Sequence, residues 1–216
     1  MISLAHRTVF VHVPKCGGQS VELAFLNDLG LSWKTRKALL LAARPKGWGG
    51  EHPRLAHLKA REYLGFDYLS REMWSKYFSF AIVRNPFARV ASAYHYLDPR
   101  IDSLEEFAVS LVQSRRKGFM DPAWDYVRDE NGEQLVSAWY RLEEIAECWP
   151  AIAARSHLRD APLPYRNAMG HKKPGAVWTE AAIQAVRDVY AEDFSRFGYA
   201  DDAPPERHRP ADAASE

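Results

Sequence analysis

The chain has 216 residues, 47 % of them apolar, and 7 tryptophans, which suits one domain with a substantial core. Its 29 lysines and arginines against 28 aspartates and glutamates leave a formal charge of +1. No global field therefore draws it to nucleic acid or an acidic membrane, and any anion site must be local.

No run approaches the roughly 20 apolar residues of a membrane span. The first strand pattern begins too early to leave room for a signal peptide. Cys16 and Cys148 lie far apart and suggest neither a disulfide scaffold nor a metal site. The expected location is a reducing cytoplasm.

Residues 8–20 read as a buried strand, a glycine turn and a helix. Val9, Phe10, Val11 and Val13 form the near-continuous apolar run of a strand covered on both faces. Gly17 and Gly18 allow a tight turn that turns its N–H groups outward. A helix from about Gln19 to Leu29, with Val21, Ala24, Phe25 and Leu29 inward, points its positive end at any bound anion. Lys15 adds a cation and Ser20 a hydroxyl. The plain alternative is an ordinary strand–turn–helix connection. A nucleoside-triphosphate loop has its lysine after the glycines and a hydroxyl for magnesium; here the lysine precedes them, so a phosphate-like group is expected without the magnesium signature. Cys16 is either a reactive thiol at a helix start or a small side chain that fits the turn.

Residues 33–43 look helical, and 44–53 form a basic, glycine-rich loop carrying Trp48. A second buried strand, Ser79–Val83, ends at Arg84-Asn85-Pro86. Pro86 suits a first helical turn, and the helix runs to about Leu97 with Phe87, Val90, Ala91 and Tyr94 inward. Two buried strands that each lead into a helix N-terminus predict an α/β fold, a central parallel sheet flanked by helices with a P-loop-like strand–turn–helix. Further helices are expected at about 103–115, 143–154 and 179–194, and the 129–132 turn joins two short extended segments. Ala182, Ile183, Val186, Val189, Tyr190 and Phe194 form an inward stripe. Residues 1–200 make the domain, and the polar, proline-rich 201–216 a disordered tail.

In an open parallel sheet, ligands gather at the carboxyl ends of the strands. Arg84, a forked donor, and Ser92, two turns along its helix, are placed to share one phosphate. Taken alone, Arg84 would as easily cap the sheet edge and Ser92 pack. Together with the first cradle they describe a doubly phosphorylated nucleotide.

Phe-Val-His-Val-Pro-Lys-Cys-Gly-Gly-Gln-Ser (10–20) and Phe-Ala-Ile-Val-Arg-Asn-Pro-Phe-Ala-Arg-Val-Ala-Ser-Ala-Tyr (80–94) resemble the two nucleotide-binding motifs of sulfotransferases. The likeness is to the carbohydrate-type branch that includes the Golgi and heparan sulfate enzymes. It extends more weakly through 141–145, 163–168 and 190–199. The resemblance implies 3′-phosphoadenosine-5′-phosphosulfate (PAPS) as donor and a glycan or small glycosylated molecule as acceptor. It assigns the 5′-phosphosulfate to Lys15 and the backbone amides of Cys16, Gly17, Gly18, Gln19 and Ser20. Lys15 would also stabilise charge on the leaving oxygen. It assigns the 3′-phosphate to Arg84 and Ser92, and a loop closing over the nucleotide to 165–172, with Arg166 as the contact.

Sulfuryl transfer needs in-line placement, a base and cations for the leaving phosphate, and no metal is expected. Of 8 histidines, His12 reads as a satisfied core residue, and His6, His157 and His208 have no site context. His57 lies between the two cradles and resembles the catalytic histidine position of the heparan-type enzymes. It is the first candidate for the base, then His52; His95 and a carboxylate such as Glu51 stay open. Asp121-Pro122-Ala123-Trp124 departs from the family pattern, where glutamine more often follows that proline. Trp48, Trp124 and Tyr96 either stack on a sugar or pack in the core, and loops at 44–53 and 116–128 shape the acceptor pocket. Competing readings are a kinase, against which the lysine order speaks, and a non-catalytic nucleotide-binding protein. The oligomeric state is not encoded legibly.

Overall fold

The computed structural model describes residues 1–39, 56–97, 103–114, 119–159, 162–165 and 177–205. Its sheet has the order β1 (Ile2–Ser3), β2 (Thr8–Val11), β3 (Phe78–Val83), β4 (Ala138–Arg141). β2, β3 and β4 run parallel, with Phe10 opposite Phe80 and Phe80 opposite Ala138, and β1 pairs antiparallel with β2. Every residue of β2 and all but the first of β3 is buried, which is why both read as continuous apolar runs. β1 and β4 were not expected. β1 is too short to show a period, and β4, half-buried along its length, alternates too weakly to stand out.

The described helices are α1 (Gly18–Asp28), α2 (Ala60–Gly65), α3 (Arg71–Lys76), α4 (Pro86–Leu97), α5 (Leu104–Ser114), α6 (Ala123–Val127), α7 (Ile145–Arg155) and α8 (Glu180–Phe197). In α1 the buried apolar residues are Val21, Phe25 and Leu26, while Leu29 caps the end and is exposed. The expected helix at 33–43 is a 3-10 stretch over Trp33–Leu39. α2, α3 and α6 are too short to leave a readable periodicity.

The chain divides into two compact units. The first, Met1–Arg84 with Arg116–Gly170, holds the sheet and α1, α2, α3, α6 and α7. Its core centres on the Phe10 and Phe80 rings, 5.1 Å apart, each burial worth about 1.5–3 kcal/mol. The Met1 amino group is buried here and donates to the carbonyl of Phe10 (2.9 Å) and to the Tyr63 hydroxyl (2.7 Å). Burial lowers its pKa to about 5, with the Glu22 carboxylate acting in the opposite direction. The 129–132 turn is braced by Asp129, whose carboxylate accepts from Asn131 and Glu133, and it joins Arg128 and Gln134 in one antiparallel bridge.

The second unit, Asn85–Arg115 with His171–Glu216, packs α4, α5 and α8 together. The Asn85 side chain accepts from Phe87 and Ala88 at the start of α4. Phe87 meets Trp178 (5.3 Å) and Phe194 (5.1 Å), and Arg89, fully buried, faces Asp193 at 4.0 Å. α8 outruns its expected end because Gly198, in the left-handed conformation, closes it three residues after Phe194 would have been passed, at Phe197. Arg187 holds residues just beyond, donating to the carbonyls of Asp201 and Asp202. Residues 206–216 of the tail, loop 44–53 with Trp48, His52 and Glu51, and Arg166 lie outside the described residues. Among the described residues no helix is long and apolar enough to cross a membrane.

Candidate active site

β2 ends at Val11, and the chain turns at once into the cradle. Val13 donates back to the Val11 carbonyl (3.1 Å), and Lys15 and Gly17 both take left-handed φ values, +65° and +74°. Gly17 is the N-cap of α1 and has no side chain to bond the amides of the first turn, which also carries no acidic residue. A helix start of this kind suits an anion. The two glycines are needed for different reasons. A Cβ on Gly17 would be strained by its φ and would sit 2.8 Å from Cδ1 of Leu142, the residue after β4. A Cβ on Gly18 would fall 2.2 Å from Nε2 of His12.

Lys15 and Arg84 meet here. Arg84 Nη1 donates to the Lys15 carbonyl (3.4 Å), and both side chains are half-buried. Burial first, then the Arg84 charge, lower the Lys15 pKa to about 8, with Cys16 acting in the opposite direction. Two cations held this close disfavour one another, and an anion between them would relieve both. Cys16 is buried, its thiol donating to the Pro14 carbonyl (3.5 Å), so it fills the turn. Gln19 is half-buried and Ser20 buried on the first turn of α1.

His57 stands beside this segment, before α2. Its Nδ1 donates to the carbonyl of His12 (3.0 Å), which leaves Nε2 as the nitrogen with a lone pair. The residue has a left-handed backbone (φ +66°), and its ring packs 4.4 Å from that of His12 and edge-on to Phe119 (5.4 Å). Burial, then the charge of His12, lower its pKa to about 4; the bond to the His12 carbonyl and the Glu22 carboxylate work the other way.

His12 is buried, as its sequence position implied, but it is also the neighbour of His57. Its Nδ1 bonds Glu22 Oε1 at 2.8 Å. A pattern of apolar alternation gives no hint of that contact, because it depends on α1 folding back along β2. Lys59 was likewise missed. It bonds Asp121 (2.6 Å) and so joins the segment of His57 to that of Phe119. Trp124 is buried, in keeping with its core reading, and Tyr96 is exposed. Ser92 and His95 are half-buried on α4 in the second unit. Among the described residues no group of three or more His, Cys, Asp or Glu side chains is arranged to hold a metal ion.

The model of the Sulfotransferase family matches residues 1–125, a span that takes in the cradle, His57, Arg84 and Ser92. No curated protein matches the chain. The family match extends over more than half of the sequence and coincides with a parallel sheet whose strands lead into an anion-suited helix start, and the chain belongs to the sulfotransferase family.

Proposed function

We propose that this sulfotransferase moves the sulfuryl group of PAPS to a hydroxyl of a carbohydrate or small glycosylated molecule, with His57 as base. The observation that carries the reading is the bond from His57 Nδ1 to the His12 carbonyl. That bond ties the imidazole to the segment leading into the cradle and presents an unprotonated Nε2.

When bound, the donor supplies a sulfur activated by its bond to the 5′-phosphate. The acceptor oxygen bonds to sulfur, its proton passes to His57 Nε2, and the sulfur–oxygen bond to the 5′-phosphate breaks with its electron pair. Lys15 and the amides of residues 16–19 stabilise the charge arriving on that oxygen, while the Ser20 amide donates to the Gly17 carbonyl (3.0 Å) and leaves that residue its hydroxyl to offer. The fit of these residues to a phosphosulfate rests on the half-buried Lys15 beside a helix start that has neither a side-chain cap nor an acidic residue in its first turn. A pKa of about 4 keeps His57 neutral at physiological pH, and a bound anion raises it towards a value better suited to proton transfer.

Arg84 and Ser92 are proposed contacts of the 3′-phosphate and Arg166 a contact of the nucleotide, each to be judged by its own substitution. Residues 1–200 form the proposed catalytic domain. A cytoplasmic setting belongs to the same reading.

The test has two arms. Thermal unfolding should shift upward with adenosine 3′,5′-bisphosphate and not with ATP and magnesium. A screen of glycan acceptors with radiolabelled donor should then show sulfate transfer that His57→Ala lowers by about 10²–10⁴-fold while bisphosphate binding survives. Stabilisation by ATP with magnesium alone would favour a kinase. Transfer by His57→Ala at the full rate would remove His57 as the base.

A further inference from the structure

Gly18 and Glu22 are four residues apart on α1, so they share a helix face. The His12 ring lies along that face. Its Nδ1 bonds Glu22 Oε1 at 2.8 Å, and its opposite edge fills the space in front of Gly18. Both side chains are buried. Burial pushes the Glu22 carboxyl up, but the bond from His12 and the charges of His12, the Met1 amino group and His57 outweigh it and hold it below the usual range. A buried carboxylate–imidazole pair seldom stabilises a fold more than an apolar pair of the same volume would. The contacts of His12 show what this one holds: its carbonyl accepts from His57 Nδ1 at 3.0 Å, and its ring lies 4.4 Å from the His57 ring.

We propose that Glu22 and His12 are positioning residues for His57: Glu22 clamps the His12 ring against Gly18, and His12, through its carbonyl and its ring, holds the His57 imidazole with Nδ1 protonated and Nε2 open. The proposal rests on the reading of His57 as the base. It makes the helix that starts the cradle also the anchor of the base, so donor site and base move as one body. The charged or titratable groups that face His57 are His12 from the segment after β2, Glu22 from α1 and the amino group of Met1, the residue before β1, while the 119–127 segment contributes the uncharged Phe119 ring. Glu22 is the anion of that set, so losing its charge makes His57 harder to protonate.

The experiment compares the full chain with Glu22→Gln, Glu22→Asp and the double variant His12→Phe/Glu22→Leu, the last an apolar pair that removes the buried charge along with its partner. Nitrogen-15 NMR of the imidazoles reads the tautomer and titration of His57 directly. The proposal expects His57 to be Nδ1-protonated in the parent chain, its midpoint to fall in Glu22→Gln, and the tautomer to become mixed in the double variant. In transfer assays kcat should fall roughly 10- to 100-fold in the double variant, with the affinity for adenosine 3′,5′-bisphosphate kept and Glu22→Asp partly restoring the rate. An unchanged His57 tautomer and midpoint in both Glu22→Gln and the folded double variant overturns the proposal. If His57 responds to Glu22 in the spectra but His57→Ala transfers sulfate normally, the reading of the base has failed and the coupling stands.

Discussion

The His12 ring occupies the place a side chain on Gly18 would need, with Nε2 only 2.2 Å from where that Cβ would stand. His12 cannot step aside without loosening its bond to Glu22. Gly18→Ala should therefore destabilise the protein by about 1–3 kcal/mol through overpacking and weaken binding of adenosine 3′,5′-bisphosphate. Gly17→Ala should cost a comparable amount for another reason, about 1–2 kcal/mol for a left-handed backbone, with Leu142 also in the way. Denaturant unfolding of the two variants with and without nucleotide measures both. A Gly18→Ala protein as stable as the parent, binding nucleotide as well, would contradict the close packing.

The rate of sulfate transfer should follow a bell-shaped pH curve. His57 must be unprotonated to accept a proton, so activity falls as pH drops through its pKa, about 4 in the free protein. Lys15 must be charged, so activity falls as pH rises through its pKa, about 8. A bound polyanion favours both charged forms, so at saturating donor both limbs should lie at higher pH than in kcat/KM for the donor. His57→Ala should erase the acid limb and Lys15→Met the alkaline one.

Arg84 is proposed to read the 3′-phosphate, which adenosine 5′-monophosphate lacks. Arg84→Met should reduce affinity for adenosine 3′,5′-bisphosphate by about 10- to 100-fold, the worth of a charge-assisted bond, and leave 5′-monophosphate binding much less changed. Ser92→Ala, examined separately, should produce a smaller loss of the same kind. Calorimetric titration of both ligands gives the ratio. Equal losses for the two nucleotides would assign Arg84 elsewhere.

In the second unit the buried pair Arg89 and Asp193 has no role in the proposed chemistry, yet removing one partner leaves the other charge in the core. Asp193→Ala should cost about 3–5 kcal/mol. Arg89→Met/Asp193→Leu should restore most of it. Chemical denaturation of the three variants checks the non-additivity.

Thr179 does two things at the start of α8. Its hydroxyl accepts from the amide of Ala182 (3.2 Å) and donates to Glu105 of α5 (2.7 Å). Thr179→Ala should lose about 1 kcal/mol for the cap and more for the link. Thr179→Asp keeps the cap but faces Glu105 with a like charge, so only part of the loss should return.

The elements that sequence alone determined are those whose signal is local. Continuous apolar runs at 9–13 and 79–83 mark strands covered on both faces, and the paired glycines, the early lysine and Pro86 mark the turns that follow them. The same residues carry the likeness to sulfotransferases, and the family match covers that part of the chain. Local pattern also singled out His57, by its position between the two strand–helix turns. It set His12 aside as core, since an imidazole inside an apolar run looks the same whether it is inert or holds a neighbour. Tertiary structure decided that difference. Only when α1 folds back along β2 does Glu22 reach His12, and only when residues 56–59 return to the end of β2 does His57 reach the His12 carbonyl, a bond spanning 45 residues. Contacts of that range depend on which surfaces meet in the fold, and no periodicity in a single chain records them.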